Sequence, residues 1–149
     1  VYVFNELVSL VNDLNLAKYI NINSRFMSDK QTLNILSKYD AIVFPYQESN
    51  ESSSASVRHG LASDRPVLVT PSSIFDDIFD LVDVFDGFTP DDIAKGIKKF
   101  NVDRFNSPDF LKKKLADRRK SLSKRRFSIL SMRLYRIIKS LSINKNLMY

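Results

Sequence analysis

The chain of 149 residues contains no cysteine, which excludes disulfides and thiolate chemistry and fits a reducing compartment. Glycine is almost as scarce. Gly60, Gly87 and Gly96 are the only three, so there is no Gly-x-Gly-x-x-Gly run and no dinucleotide fingerprint. His59 is the single histidine; it is better placed elsewhere, so no Ser/His/Asp triad can be drawn. No apolar run approaches the length needed to span a bilayer. The first residues lack the basic flank and cleavage signature of a signal peptide, so none is expected. Asp76-Asp77 and Asp91-Asp92 have neither a matched histidine nor calcium-loop spacing. Helix-start acids explain both pairs, and no metal site is expected.

What is present suffices for the core of one domain: 44% of residues are apolar, with eleven Phe and six Tyr. The net charge of +6 hides a split. Residues 1–110 carry 10 Lys and Arg against 16 Asp and Glu, a net of −6, whereas residues 111–149 carry 13 against the single Asp117, a net of +12. The basic character therefore belongs to the C-terminal segment, and such asymmetry points to an anionic partner for it.

Phe4 to Leu16 reads as a helix, with Phe4, Leu7, Val8, Val11 and Leu14 at helical spacing. Tyr19 to Ile22 is a short strand candidate. Ser28 or Asp29 is placed to cap a helix over 30–38 that buries Leu33 and Leu36. A strand at 41–44, a helix at about 53–62 and a strand at 66–70 follow. Pro71-Ser72-Ser73 is a turn. One or two helical turns over 74–79 and a short strand over 82–85 come next. Thr89-Pro90-Asp91-Asp92 starts a helix expected to reach about Lys99: Thr caps, Pro occupies the first turn and the acids suit the dipole. From Ser107 the pattern turns to long helices. Phe127, Leu130, Leu134, Ile137, Ile138 and Leu141 form one stripe, with Arg125, Arg126, Arg133, Arg136 and Lys139 off its centre, an amphipathic basic helix. The alternation predicts an α/β fold, a Rossmann-like parallel sheet with helices on both faces, followed by C-terminal amphipathic helices. The expected division is 1–106 and 107–149.

The order strand 41–44, polar loop, serine-rich helix start, strand 66–70 sets a helix N-terminus beside the carboxyl edge of a parallel sheet. Open α/β sheets bind ligands there, and free backbone N–H groups favour an anion such as a diphosphate. Asp40, Pro45, Glu51, Ser52, Ser54, Val57, Arg58, Leu61, Ala62, Arg65, Pro66 and Val67 fit a pattern. It resembles the donor-binding segment of glycosyltransferases of the GT-B fold, family-4 type, over roughly 26–100. The resemblance implies that Glu51 meets the hydroxyls of the donor sugar; the plainer role is a solvated loop acid. The family's second Glu, eight positions on, is His59 here. A neutral imidazole can still accept one hydrogen bond from a ribose and donate another, but it lacks a carboxylate's two-oxygen grip. Ser52, Ser53 and Ser54 would offer amides to the diphosphate, or serve only as a helix cap. Ala55 stands where the pattern often has Gly. Arg58 is placed to pair with Glu48, Glu51 or a phosphate. Asp64 holds the usual Gly position before Arg65-Pro66, where a left-handed helix cap is expected.

The resemblance implies transfer of a sugar from a nucleotide diphosphate sugar to a glycan or lipid-linked acceptor, with Glu51 the catalytic candidate. Ser52, Ser53, Ser54, Arg58 and His59 are the donor-binding candidates. No cofactor or metal is expected, and retention of configuration is the family-4 expectation. The acceptor-binding domain and the glycine turn that opens a donor domain are not in this sequence. The chain is therefore expected to be the donor-binding part, inactive alone, cytoplasmic and peripheral on the inner face of the membrane. The rival reading is a non-catalytic module whose basic helices hold an anionic membrane or nucleic acid; the plainer role of the apolar stripe, and the one favoured over either, is packing on the missing domain, as a C-terminal helix of this fold commonly does.

Overall fold

The computed structural model describes residues 2–48 and 53–145. It divides into two compact units, Val1–Thr32 and Leu33–Tyr149.

The first unit contains α1 (Tyr2–Asp13) and the first turn of α2 (Asp29–Leu36). Asn15 closes α1 in the left-handed region at φ 56°, while the Leu16 amide donates to the Val11 carbonyl at 2.9 Å. Asn tolerates that conformation and so ends the helix. The strand expected over Tyr19–Ile22 does not form. The chain turns there instead, the Tyr19 and Ile20 amides both donating to the Leu16 carbonyl, and Tyr19 is 83% exposed. Ser28 starts α2: its amide donates to Gln31 Oε1 at 3.0 Å and its Oγ accepts from the Gln31 amide at 3.5 Å. This is a reciprocal cap.

The second unit is built on three parallel strands in the order β1 (Ile42–Phe44), β2 (Val67–Val69), β3 (Asp83–Val84). Ile42 pairs with Val67 and Phe44 with Val69; Leu68 pairs with Asp83. An α/β arrangement follows, with α3 (Ala55–Ala62) between the first two strands and a 3-10 helix (Ser73–Leu81) between the last two. β2 is central and buried along its whole length, which explains its uninterrupted Val-Leu-Val. Val57, Leu61, Ile74, Phe75, Ile78 and Leu81 pack with it into the core. In the 3-10 helix Ile74, Phe75, Ile78 and Leu81 are buried, and Asp76, Asp77, Phe79 and Asp80 are exposed. Phe75 has no exposed surface, so truncating it to Ala would cost about 3–5 kcal/mol.

Leu33 and Leu36 are only half-buried; Leu36 packs against the core without entering it. The carbonyl that ends α2, that of Ser37, accepts from Arg65 Nε at 2.8 Å and from its Nη2. A cation at a helix C-terminus is the stabilising sign.

α4 (Pro90–Asn106) starts at the Thr89–Asp92 capping box, with Thr89 Oγ1 accepting from the Asp92 amide at 3.2 Å. It runs seven residues past the expected end, because neither Gly nor Pro follows Lys99 until Ser107-Pro108, and a residue preceding Pro is pushed out of the helical region. Two more helices follow, α5 (Pro108–Lys124) and α6 (Phe127–Lys145). α5 packs on α4, and its Leu122 touches the core. Among the described residues, no helix is long and apolar enough to cross a membrane.

Candidate functional site

The carboxyl ends of β1 and β2 converge on Tyr46. Thr70, just past β2, donates through its hydroxyl to the Tyr46 carbonyl, and its amide donates to the Phe44 carbonyl at 3.3 Å. The Tyr46 ring stands edge-on to Phe44, centroids 6.0 Å apart, and 5.3 Å from the Phe75 ring. Its hydroxyl lies 3.3 Å from Ser54 Oγ. Tyr46 therefore ties the loop after β1 to the start of α3.

Ser54 is the N-cap of α3. Its backbone is extended, at φ −106° and ψ 121°, and its Oγ accepts from the Val57 amide at 3.4 Å. The side chain is buried and engaged in the cap. The following amides, those of Ala55 and Ser56, open the helix and have no intrahelical acceptor by helix geometry. They and the exposed Ser53 are the groups this end of the helix can offer to an anion. Ala55 and Ser56 are both exposed.

Two of the donor-binding candidates share the next turn. Arg58 is about half exposed, and its Nη2 meets Asp77 Oδ2 on the 3-10 helix at 2.7 Å. Asp77 lies nineteen positions on, beyond the reach of local pattern, and was not among the partners expected from sequence. His59 is half-buried, and its carbonyl accepts from the Ser63 amide at 3.0 Å. Glu48 is exposed on the loop after β1. Glu51 and Ser52 lie outside the described residues.

α3 sits close to the sheet. A Cβ added at Gly60 would fall 2.8 Å from Phe44 Cε2 and 3.4 Å from Val67 Cγ2. At the far end of α3, Asp64 adopts φ 63°. This is the left-handed cap expected of a position usually held by Gly, with Asp supplying it. Hydrogen bonding from Arg119 holds the Asp64 carboxyl below its ordinary range, against the opposing effect of partial burial. Arg119 Nε donates to Asp64 Oδ1 at 2.6 Å.

A scan of protein-family models, a search of curated proteins and a search of solved structures each found no match. The residues and geometry of this chain therefore carry the whole functional argument.

Two residues of the site escaped the sequence reading. Thr70 is fully buried at the carboxyl end of β2. The signal was available, a hydroxyl closing an apolar run at a sheet edge. Ser72, expected only as part of a turn, is 1% exposed, and its Oγ has no hydrogen-bond partner among the described residues. A polar side chain in that state is costly by about 1–3 kcal/mol. Two cavities lie elsewhere in the second unit. One, of about 120 Å³, lies between β3, α4 and α5; the other, of about 500 Å³, lies between the 3-10 helix and α5. Neither is lined by residues 53–59.

Proposed function

We propose that this chain is the donor-binding part of a GT-B glycosyltransferase, with a Rossmann-like sheet whose carboxyl edge takes a nucleotide diphosphate sugar. The observation that carries the reading is the β1–α3–β2 unit: parallel strands with the Ser54-capped start of α3 after the first. The resemblance quoted above adds its support. In this reading the first amides of α3 and Ser53 receive the diphosphate, whose charge the helix dipole favours. Glu51 accepts from the donor sugar's hydroxyls through charge-assisted hydrogen bonds. His59, one turn into α3, meets the ribose. Arg58 remains with Asp77 or turns to the phosphates. Preorganised amides beside a departing diphosphate stabilise it electrostatically without a metal ion. The acceptor is a glycan or a lipid-linked glycan, bound by a domain outside this sequence.

Chemical-shift mapping of the full chain with UDP, GDP and dTDP tests this. The expected shifts centre on Ser53, Ala55, Ser56 and His59. Glu51→Ala should weaken binding of the nucleotide sugar by about tenfold or more while leaving the bare nucleotide's affinity unchanged, since this reading gives the carboxylate a role toward the sugar alone. Shifts confined to α5 and α6, or none at millimolar nucleotide, would overturn the proposal. The rival, a non-catalytic module held by its basic helices, has one observation in its favour: every described side chain of α6 is exposed.

A further inference from the structure

The thirteen basic residues of the C-terminal segment do not act together. Two on α5 and one just past its end are turned onto acids of the α/β unit, Lys112 pairs with Asp109 of its own helix, and no ion pair among the described residues uses Lys113, Lys120 or Lys124. Lys114 pairs with Asp83, Arg119 with Asp64, and Arg125, just past the helix end, with Asp80 at 2.8 Å and with the Asp77 carbonyl at 2.9 Å. Arg118 is buried beside them. α6 is different. No ion pair among the described residues uses Arg126, Arg133, Arg136 or Lys139, and Asp117 is the last acid in the sequence. The apolar side of α6 is equally bare: Leu130, Leu134, Ile137, Ile138 and Leu141 are between 47% and 63% exposed.

We propose that α6 is a docking helix for an anionic lipid surface. At about 100° per residue those five Leu and Ile side chains fall on one side of the helix, Arg126 and Arg133 lie along one edge of it, and Lys139 and Arg136 stand behind. Such a helix lies in the interface plane, its apolar side about 5–10 Å deep among the acyl chains. The long basic side chains reach the headgroup phosphates from the flank. Charge selects this occupant. A polynucleotide would satisfy the cations but leave five large apolar side chains in water. A second copy would meet α6 with a helix carrying the same cations and no acid to match them. An anionic bilayer is complementary to both faces at once. The role of α6 does not depend on what the site at α3 binds.

Flotation of the full chain with vesicles of equal parts phosphatidylglycerol and phosphatidylcholine, and with pure phosphatidylcholine, tests this over a series of salt concentrations. Binding should be confined to the anionic vesicles, weaken with salt, and keep a fraction that survives high salt. Replacing Arg126 and Arg133 together with Gln should lower partitioning about twenty-five-fold, because each basic group on the flank that meets such a surface is worth about fivefold. Leu134→Ser with Ile138→Ser should abolish the salt-resistant fraction. Both variants alter exposed side chains only, and far-ultraviolet circular dichroism checks that their helix content is kept. Absence of binding to anionic vesicles, equal binding to neutral ones, or indifference to both sets of substitutions would overturn the proposal. So would tighter binding to a polynucleotide, lost entirely in high salt, or sedimentation showing self-association through α6.

Discussion

Replacing Arg118 with methionine should stabilise the second unit. Arg118 is 6% exposed on α5, and its Nε and Nη2 are shielded from water with no acceptor among the described residues. Burial pulls the guanidinium pKa down, and Asp64 and Asp83 oppose that pull. Each buried donor without an acceptor costs about 1–3 kcal/mol, so the two together cost about 2–6 kcal/mol. The compensation is smaller. Asp64 and Asp83 are 44% and 37% exposed, and each already has a closer cation, Arg119 and Lys114. Solvent screening limits their attraction for Arg118 to about 1 kcal/mol apiece. Methionine keeps an unbranched apolar stem in the same space and strands no carboxylate. The expected gain is about 1–3 kcal/mol, in line with replacement of other buried charges by apolar residues. Urea unfolding followed by far-ultraviolet circular dichroism reads it as a higher midpoint with an unchanged slope. Arg118→Ala serves as the control, because it removes the same unpaired donors but leaves a cavity, and should recover less. A loss of about 1 kcal/mol or more in Arg118→Met, with the slope unchanged, would refute the reasoning: the guanidinium would then hold an acceptor stronger than the two aspartates supply.

Gly96→Ala should cost about 1–2 kcal/mol: alanine's helix preference returns about 1 kcal/mol, but the new methyl would land 2.7 Å from Cε1 and closer still to Cδ1 of Phe85, a ring only 5% exposed. The same urea titration reads it, and a stabilised variant would mean that the ring yields freely. Acid should weaken the unit through Asp64. Its folded pKa is held below the ordinary 3.8, chiefly by hydrogen bonding from Arg119, so its contribution is complete above 3.8 and lost as pH falls through the lower folded value. Urea midpoints should drop over that window, and Asp64→Asn should drop less; parallel curves for the two proteins would count against the pairing.

Local rules made much of this fold legible. Val and Ile runs gave the three short strands. The serine run 52–54 and Thr89 marked the starts of their helices because a cap needs only a hydroxyl within three residues of the amide it serves; in the structure the first cap is Ser54. Asp64 was readable as a left-handed cap because Arg65-Pro66 follows at once. What local rules missed was set by contacts distant in sequence. Tyr19–Ile22 has strand-forming residues, but a strand needs a neighbour, and none forms beside it. Arg58 turns to Asp77, and Arg65 to the Ser37 carbonyl twenty-eight residues away, because folding brings those groups within reach. Thr70 and Ser72 are similar: their chemistry is visible in the sequence, but their burial is visible only in the packing.

The basic segment shows why a charge count alone misleads. Taken as one block, its +12 suggests a single long surface seeking an anion. Yet the acids of the preceding unit that answer it, Asp64, Asp80 and Asp83, lie where α5 crosses them. Exposed pairs of this kind are worth about 0–1 kcal/mol each, so they orient α5 more than they hold it; the contact of Leu122 with the core adds the apolar part. Their larger effect is on the field outside. Over a Debye length of about 8–10 Å, a cation beside its own aspartate contributes little to a distant partner. The cations of α6 have no such neighbours on their own helix, since no acid follows Asp117. On α6 that unanswered charge coincides with bared leucines and isoleucines. A partner drawn by charge alone would meet that apolar side as a cost, and one that accepts both would bind at α6 in preference to α5.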